Sequence, residues 1–89
     1  MIRCQLPIIN KLGLHARAAT KLASAAGHHQ CAVSTGIEEP LVDAKSIMSL
    51  MLLAANQGTK LIFEFNGPDE QIACDEITEL LNDYFGEGE

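Results

Sequence analysis

The chain has 89 residues, 47% of them hydrophobic, which suits one small domain spanning residues 1–89 and leaves no stretch long enough to span a membrane. Its formal net charge of −6 argues against nucleic-acid binding. Three scattered cysteines, Cys4, Cys31 and Cys74, exclude a complete disulfide framework, and with no signal-peptide pattern they predict a protein of the reducing cytoplasm.

The charges are segregated along the chain. Residues 1–37 contain four lysines and arginines and no acidic residue, whereas residues 38–89 contain all twelve acidic residues and two lysines. The two parts therefore carry +4 and −10, which sum to −6. The cationic part is suited to docking on an acidic partner or to receiving an anionic group.

The first half of the chain predicts a strand, a helix and two more strands. Residues 1–9 alternate apolar side chains on one face, and Pro7, which cannot donate to a sheet, indicates an edge strand or its end. Apolar residues then recur every three or four positions from Ala16 to Ala26, and Gly27 ends that helix. Strands are predicted over 30–35 and 41–44.

The second half predicts a helix over 47–55, capped by Ser46 and ended by Gly58, a strand over 60–66 and a last helix over 70–85. The order βαββαβα predicts an α+β fold, with one antiparallel sheet covered on one face by helices. Leu50 and Leu53 are assigned to the core. The last helix is expected to bury six residues and to lead into a frayed acidic tail: Ile72, Ala73, Ile77, Leu80, Leu81 and Tyr84.

The segment NKLGLHARAATKL, residues 10–22, contains the strongest candidate site. His15 lies at the start of the first helix, where free backbone N–H groups and the positive end of the helix dipole attract anions. Arg17 is anomalous, because a cation in the first turn opposes the dipole. Histidine, arginine and helix terminus together predict a place to hold a phosphoryl group. From these residues alone, a structural explanation is available for each of them. A surface or capping role for His15 is an equal alternative to a functional one. Gly13 would then only supply a left-handed turn, and Arg17 would only be a solvated surface residue.

Two motifs resemble one known family. GLHARAATKL is similar to the active-site segment of the histidine-containing phosphocarrier proteins (HPr) of the bacterial phosphotransferase system, and VDAKSIMSLMLLAANQG, residues 42–58, resembles that family's second motif. NKLG and the acidic end FGEGE resemble the nitrogen-related (NPr) branch. The resemblance implies an open-faced β-sandwich of three helices on a four-stranded sheet, with the starts of the first two helices side by side. Ala18 departs from the family pattern, which usually has a proline there that defines the first turn.

The resemblance also implies a mechanism. His15 would accept a phosphoryl group on Nδ1 from Enzyme I, with phosphoenolpyruvate as the ultimate source, and pass it to an Enzyme IIA-type protein. Arg17 and the backbone N–H groups of Ala16 and Arg17 would stabilise the transferred oxygens. Such a protein is a stoichiometric carrier rather than an enzyme, needs no cofactor or metal, and is expected to be a monomer.

The second helix is apolar on more than one face, so part of it is expected to be exposed as a docking surface. We assign Ile47, Met48 and Met51 to that surface, with Thr20 and Lys21 of the first helix as further partner contacts. Simple core packing is the alternative for about half of the apolar positions.

Ser46 is predicted to cap the second helix. The resemblance adds that the matching serine is a regulatory phosphorylation site in those members of the family that have a dedicated HPr kinase/phosphorylase.

Two other kinds of function are compatible with the residues. One is a regulatory domain that binds an anionic ligand at the same helix terminus without covalent chemistry. The other is a metal-binding protein that uses His28, His29 and Cys31 with Cys4 or Cys74, although this spacing matches no strong zinc pattern.

Overall fold

A computed structural model describes all of residues 1–89, and its elements follow the predicted order. The four strands are β1 (Ile2–Pro7), β2 (Ala32–Gly36), β3 (Val42–Asp43) and β4 (Lys60–Asn66). The three helices are α1 (Ala16–Gly27), α2 (Ile47–Leu52) and α3 (Glu70–Asn82), and a short 3₁₀ helix, Tyr84–Gly86, follows α3.

The strands form one antiparallel sheet in the order β1-β4-β2-β3. The edge position of β1, which ends at Pro7, agrees with the prediction from that proline. Both central strands, β4 and β2, pair on two sides. The α+β fold predicted from the order of the elements is confirmed, and so is the open-faced sandwich of three helices on four strands that the resemblance implies.

The core lies between the sheet and the helices. Leu61, Phe63 and Phe65 alternate along β4 and are fully buried, because a strand with a period of two presents one face to the helices. Burying a phenylalanine stabilises the fold by about 2–3 kcal/mol. Helix α1 buries five residues, four of which are alanines. These small side chains let the helix pack closely against the neighbouring elements. None of the helices is both long and apolar enough to cross a membrane.

Strand β2 begins two residues later and ends one residue later than predicted, and β3 is one residue shorter than predicted at each end. The backbone N–H groups of Gln30 and Cys31, expected to begin β2, donate instead to the carboxylate of Asp69 at 2.9 and 2.8 Å. The backbone hydrogen bond from Gln30 is the main reason that the pKa of Asp69 falls to about 2. Only Ser34–Asp43 and Thr35–Val42 pair between β2 and β3, so β3 is limited to two residues.

Helix α2 ends at Leu52 rather than at Ala55. The chain takes a left-handed turn at Ala54 (φ 51°), and the carbonyl of Ala55 then accepts a hydrogen bond from Leu14 at 2.8 Å. The helix therefore stops where the chain turns to pack against the loop before α1. Leu50 is fully buried and Leu53 is half-buried against the core, as predicted.

The end of α3 differs most from the prediction. The helix stops at Asn82, and Tyr84 and Phe85 adopt left-handed backbone angles (φ 55° and 52°) that bury Phe85 and leave Tyr84 38% exposed. The predicted burial of Tyr84 is therefore wrong. That of Ile72, which is 65% exposed, is also wrong, because the buried stripe of α3 runs through Ala73 and its i+4 neighbours and Ile72 lies beside it.

Candidate functional site

His15 stands at the N-cap of α1 with an extended backbone, and its imidazole is partly exposed. The first helical hydrogen bond runs from Ala19 N–H to the His15 carbonyl at 2.8 Å. The N–H groups of Ala16, Arg17 and Ala18 precede that bond and have no acceptor within the helix. The predicted placement of a histidine at a bare, positively polarised helix terminus is confirmed.

The loop before α1 is held by backbone contacts. Gly13 adopts the left-handed angle (φ +70°) that a glycine tolerates, and its carbonyl accepts from Asn10 Nδ2 at 2.8 Å. Leu14 N–H donates to the Ala55 carbonyl. Ala18 is fully buried in the first turn. Its N–H has no acceptor within the helix, so α1 forms the same first turn with an alanine at the position where the resemblance leads us to expect a proline.

The C-terminal tail packs against His15 and the loop before α1, so the expectation of a frayed tail is wrong. The Glu87 carboxylate contacts His15 Nε2 through Oε2 and accepts from Asn10 Nδ2 through Oε1 at 3.0 Å. The carbonyl of Glu89 accepts from the N–H of Lys11 at 3.0 Å. The His15 ring, a buried amide and a backbone N–H therefore tie the end of the acidic half of the chain to its cationic half.

Both cationic and anionic side chains surround the His15 ring. Burial opposes ionisation of Glu87, yet hydrogen bonds from Asn10 and His15 and the charges of His15 and Arg17 together lower the pKa of Glu87 below its usual value. A cavity of about 610 Å³ opens beside the ring, and its charged lining residues are Lys11, Arg17, Glu87 and Glu89. Arg17 is exposed and its guanidinium makes no ion pair or hydrogen bond within the chain. It can therefore bind an incoming anion without first breaking a contact.

The residues predicted to meet partners lie on two helices. Ile47, Met48 and Met51 are 41%, 76% and 46% exposed, which agrees with their assignment to the surface. Leu12 and Leu52, which the sequence analysis did not single out, are also exposed. We call these five side chains the apolar patch.

The two polar residues predicted for docking are already engaged within the chain. Thr20 Oγ1 donates to the Ala16 carbonyl at 2.8 Å, one turn earlier in α1. Lys21 Nζ donates to the Phe85 carbonyl at 2.6 Å and so fastens the tail to α1.

Ser46 caps α2 as predicted, with its Oγ accepting from Ser49 N–H at 3.2 Å. The expected adjacency of the two helix starts is wrong. Lys45 Nζ reaches the His29 carbonyl, just past the end of α1, at 2.9 Å, and the start of α1 instead meets Ala55, just past the end of α2. The two helices run in opposite directions, so Ser46 and His15 lie at opposite ends of the pair.

The histidines and cysteines of the metal-binding alternative are dispersed. His29 contacts two carboxylates, Asp69 at 3.3 Å from Nδ1 and Glu76 at 2.9 Å from Nε2. Burial, with the neighbouring thiol of Cys74, raises the pKa of Cys4 to about 11. No three His, Cys, Asp or Glu side chains converge in a way that could hold a metal ion. The geometry therefore does not favour this alternative.

Asn10 and Glu87 are the site residues that sequence reasoning missed. Asn10 is fully buried, and Glu87 lies 72 positions from His15. No local motif connects residues so far apart. The only signal was the segregation of charge, which predicts attraction between the two parts of the chain but not which acid meets which base.

The sequence and the fold of this chain are both similar to those of known phosphocarrier proteins. Residues 2–83 match the family model described as "PTS HPr component phosphorylation site". The phosphocarrier protein HPr of Pseudomonas putida is 48% identical, covering 96% of both chains, and the phosphocarrier protein NPr of Shewanella violacea is 37% identical, covering 93% of this chain and 91% of the relative. The crystal structure of HPr-C-His from Thermoanaerobacter tengcongensis superposes with a TM-score of 0.93 at 33% identity, covering 98% of both chains.

Proposed function

Because this chain belongs to the HPr family of phosphotransferase-system phosphocarriers, we propose that Nδ1 of His15 is the atom that carries its phosphoryl group. The Nδ1 lone pair attacks the phosphorus of a phosphohistidine on Enzyme I. One N–P bond forms as the donor's N–P bond breaks, and the donor imidazole leaves with the electron pair. An Enzyme IIA-type protein then takes the group from His15 by an equivalent displacement, and phosphoenolpyruvate is the ultimate source.

The observation that carries this proposal is the position of His15 at the bare start of α1. Nε2 is occupied by Glu87, whereas Nδ1 has no partner within the chain. The free N–H groups of Ala16 and Arg17 and the unpaired Arg17 guanidinium supply donors beside the ring. Donors that are already in place where charge is transferred stabilise phosphoryl transfer without reorganisation.

The surroundings of the site support docking of protein partners. Exposed Met48 and Leu52 belong to the apolar patch, and flexible methionines can adapt to more than one surface. Lys11 and Arg17 line the cavity beside Glu87 and Glu89, and the two cationic side chains can pair with carboxylates of an acidic partner. We propose that Enzyme I and the Enzyme IIA-type acceptor use this same face in turn. Each round uses and regenerates the protein stoichiometrically, so we describe it as a carrier and not as an enzyme.

We further propose that Ser46 is a regulatory position. Its hydroxyl lies at a helix start, where the dipole favours an added phosphate. An HPr kinase/phosphorylase would be the modifying protein. The added charge would act on partner docking and not on His15 itself, because Ser46 and His15 lie at opposite ends of the helix pair.

The decisive experiment is incubation with Enzyme I and phosphoenolpyruvate, followed by mass measurement and site mapping. We expect one acid-labile phosphoryl group on His15, its loss in His15→Ala, and full uptake by His28→Ala, since His28 is an exposed histidine at the far end of α1. Uptake by His15→Ala equal to that of the unmodified protein would overturn the assignment. Anion binding without a covalent group would instead indicate the regulatory-domain alternative.

The physiological branch is a separate question with its own measurement. We propose either a nitrogen-related regulatory branch or a sugar-uptake branch. Phosphorylated protein offered separately to a nitrogen-related and to a sugar-specific Enzyme IIA should transfer much faster to one of the two, and that preference assigns the branch.

A further inference from the structure

The tail residue Glu87 makes a contact that the transfer mechanism does not by itself require. Its side chain is only 9% exposed, and its carboxylate lies against Nε2 of His15, on the opposite side of the ring from Nδ1. A carboxylate buried beside a histidine costs desolvation unless its interactions offset that cost. Asn10 and His15 together supply these interactions, since each contacts one of the two carboxylate oxygens.

We infer that Glu87 is a positioning residue: it holds the proton of His15 on Nε2 and thereby presents the lone pair of Nδ1 to the phosphoryl donor. This inference rests on the function proposed above, because it assigns a role in the transfer by His15. It concerns the state of the ring before any donor arrives, so it can be examined without one.

The chemistry of the contact determines the tautomer. An ionised carboxylate can only accept hydrogen bonds, so the nitrogen that faces it must carry the proton. A neutral imidazole has a single N–H, and placing it on Nε2 leaves Nδ1 with its lone pair. Glu87 is ionised at neutral pH, because Asn10, His15 and Arg17 stabilise its charge.

The position of the carboxylate is secured from both sides. Before it, the buried Phe85 ring and the hydrogen bond from Lys21 to the Phe85 carbonyl fix the turn that ends α3. After it, the Glu89 carbonyl pairs with Lys11. Asn10 Nδ2 donates both to the Gly13 carbonyl, in the loop that leads to His15, and to the Glu87 carboxylate. One buried amide therefore sets the distance between the tail and the ring.

The same carboxylate suits the product of the reaction. When Nδ1 forms its bond to phosphorus, Nε2 keeps its proton and the ring becomes cationic. No proton has to move during the step. Glu87 then stabilises the positive ring through Nε2, while Arg17 and the helix terminus act on the phosphoryl group on the Nδ1 side.

The structure makes Glu87→Gln a sharp test because the Asn10 amide has a defined orientation. Asn10 Nδ2 donates to Oε1 at position 87, so a glutamine would keep its oxygen towards Asn10 and turn its NH₂ group towards Nε2. That NH₂ donates, and the ring must then place its own proton on Nδ1 and lose the nucleophilic lone pair. Glu87→Ala removes the partner without supplying a donor.

The measurement is nitrogen-15 NMR of the His15 ring in the unphosphorylated protein at neutral pH, together with the initial rate of phosphoryl uptake from Enzyme I. We expect mainly the Nε2–H form in the unmodified protein, a mixture in Glu87→Ala and mainly the Nδ1–H form in Glu87→Gln. An aspartate-to-asparagine change behind a catalytic histidine lowers kcat by about 10⁴ by imposing the wrong tautomer, so uptake by Glu87→Gln should fall at least about tenfold. Glu79→Gln, which removes an equal charge from the exposed face of α3, should match the unmodified protein in both readouts.

Two results would overturn the inference. One is an unchanged tautomer population in both Glu87 variants, and the other is a changed tautomer in Glu87→Gln with no loss of rate. Failure of the proposed function would look different: the unmodified protein would take up no phosphoryl group, whatever its tautomer. A backbone NMR fingerprint that changes only around the tail and the loop before α1 shows that each variant is folded.

Discussion

The backbone of Gly13 passes so close to Ala55 that a Cβ at position 13 would lie 2.6 Å from the Ala55 carbonyl oxygen. That carbonyl accepts the hydrogen bond from Leu14, the residue directly before His15. Gly13 also has a positive φ of +70°. The approach of these two backbones sets the position at which α1 begins, so a side chain at Gly13 would disturb the site as well as the fold.

Gly13→Ala should therefore lower the free energy of unfolding by about 2 kcal/mol or more, as backbone strain adds to the clash. It should also slow phosphoryl uptake, because the loop before His15 must shift. Gly58→Ala is the matched control, since Gly58 also has a positive φ (+94°) but nothing lies within 4 Å of an added Cβ. Urea unfolding should show a loss of about 1 kcal/mol for the control. Equal losses in the two variants would mean that the contact with Ala55 is unimportant.

Arg17→Ala should slow transfer both to and from His15 by at least about tenfold while leaving the unfolding midpoint nearly unchanged. The guanidinium opposes the dipole of α1 and makes no contact to lose. Arg17→Glu should be slower still, because it repels both the phosphoryl oxygens and acidic partners. Lys60→Ala, which removes a cation from β4, is the control for net charge. Transfer by Arg17→Glu at the unmodified rate would rule out a phosphate-holding role.

Ser46→Asp should keep the cap of α2 yet accept phosphoryl groups about two- to threefold more slowly at low salt, and the loss should vanish at high salt. The effect is modest because the added charge is displaced from the site by the length of α2, whose six residues extend about 9 Å from Ser46 to the end that meets the His15 loop. That separation lies well within the Debye length of about 30 Å at 0.01 M salt but is about three times the Debye length of about 3 Å at 1 M, so high salt screens the charge. Ser46→Asn is the matched control, since it preserves the cap without charge. Equal rates for the two variants at low salt would leave Ser46 as a cap only.

Asp69→Asn should destabilise the protein at about pH 5, and the difference from the unmodified protein should shrink as the pH falls towards about 2. The pKa of Asp69 is lowered from 3.8 to about 2, mainly by the backbone hydrogen bond from Gln30. A depressed pKa in the folded state means that the ionised form contributes stability above the ordinary pKa and loses it as the folded pKa is approached.

The measurement for Asp69 is urea unfolding across this pH range. Asp75→Asn, whose carboxylate contacts only the exposed side chain of Gln71, is the control and should show a smaller difference at every pH. A stability gap for Asp69→Asn that stays constant down to about pH 2 would show that the carboxylate charge is not what stabilises its contacts with Gln30 and Cys31.

The elements that short-range patterns define could be predicted from the sequence. The alternation of Leu61, Phe63 and Phe65 determines a strand with one buried face, because side chains of a strand point alternately to its two sides. The spacing of alanines after His15 determines a helix that begins at that histidine, and Ser46 marks the next helix start. These signals need only neighbours within a few positions, which is why the fold class and the candidate histidine follow from them.

The features that only the tertiary structure decided are the ends of several elements and the position of the tail, and these depend on contacts between distant residues. The length of α2 is determined by the pairing of Ala55 with Leu14, and the start of β2 by the carboxylate of Asp69. The left-handed turn at Phe85 places Glu87 on the ring of His15, 72 positions away. The sequence determined that an acidic end and a cationic beginning attract each other. Only the packed core, by fixing where each strand and helix ends, selected the one carboxylate that reaches the histidine.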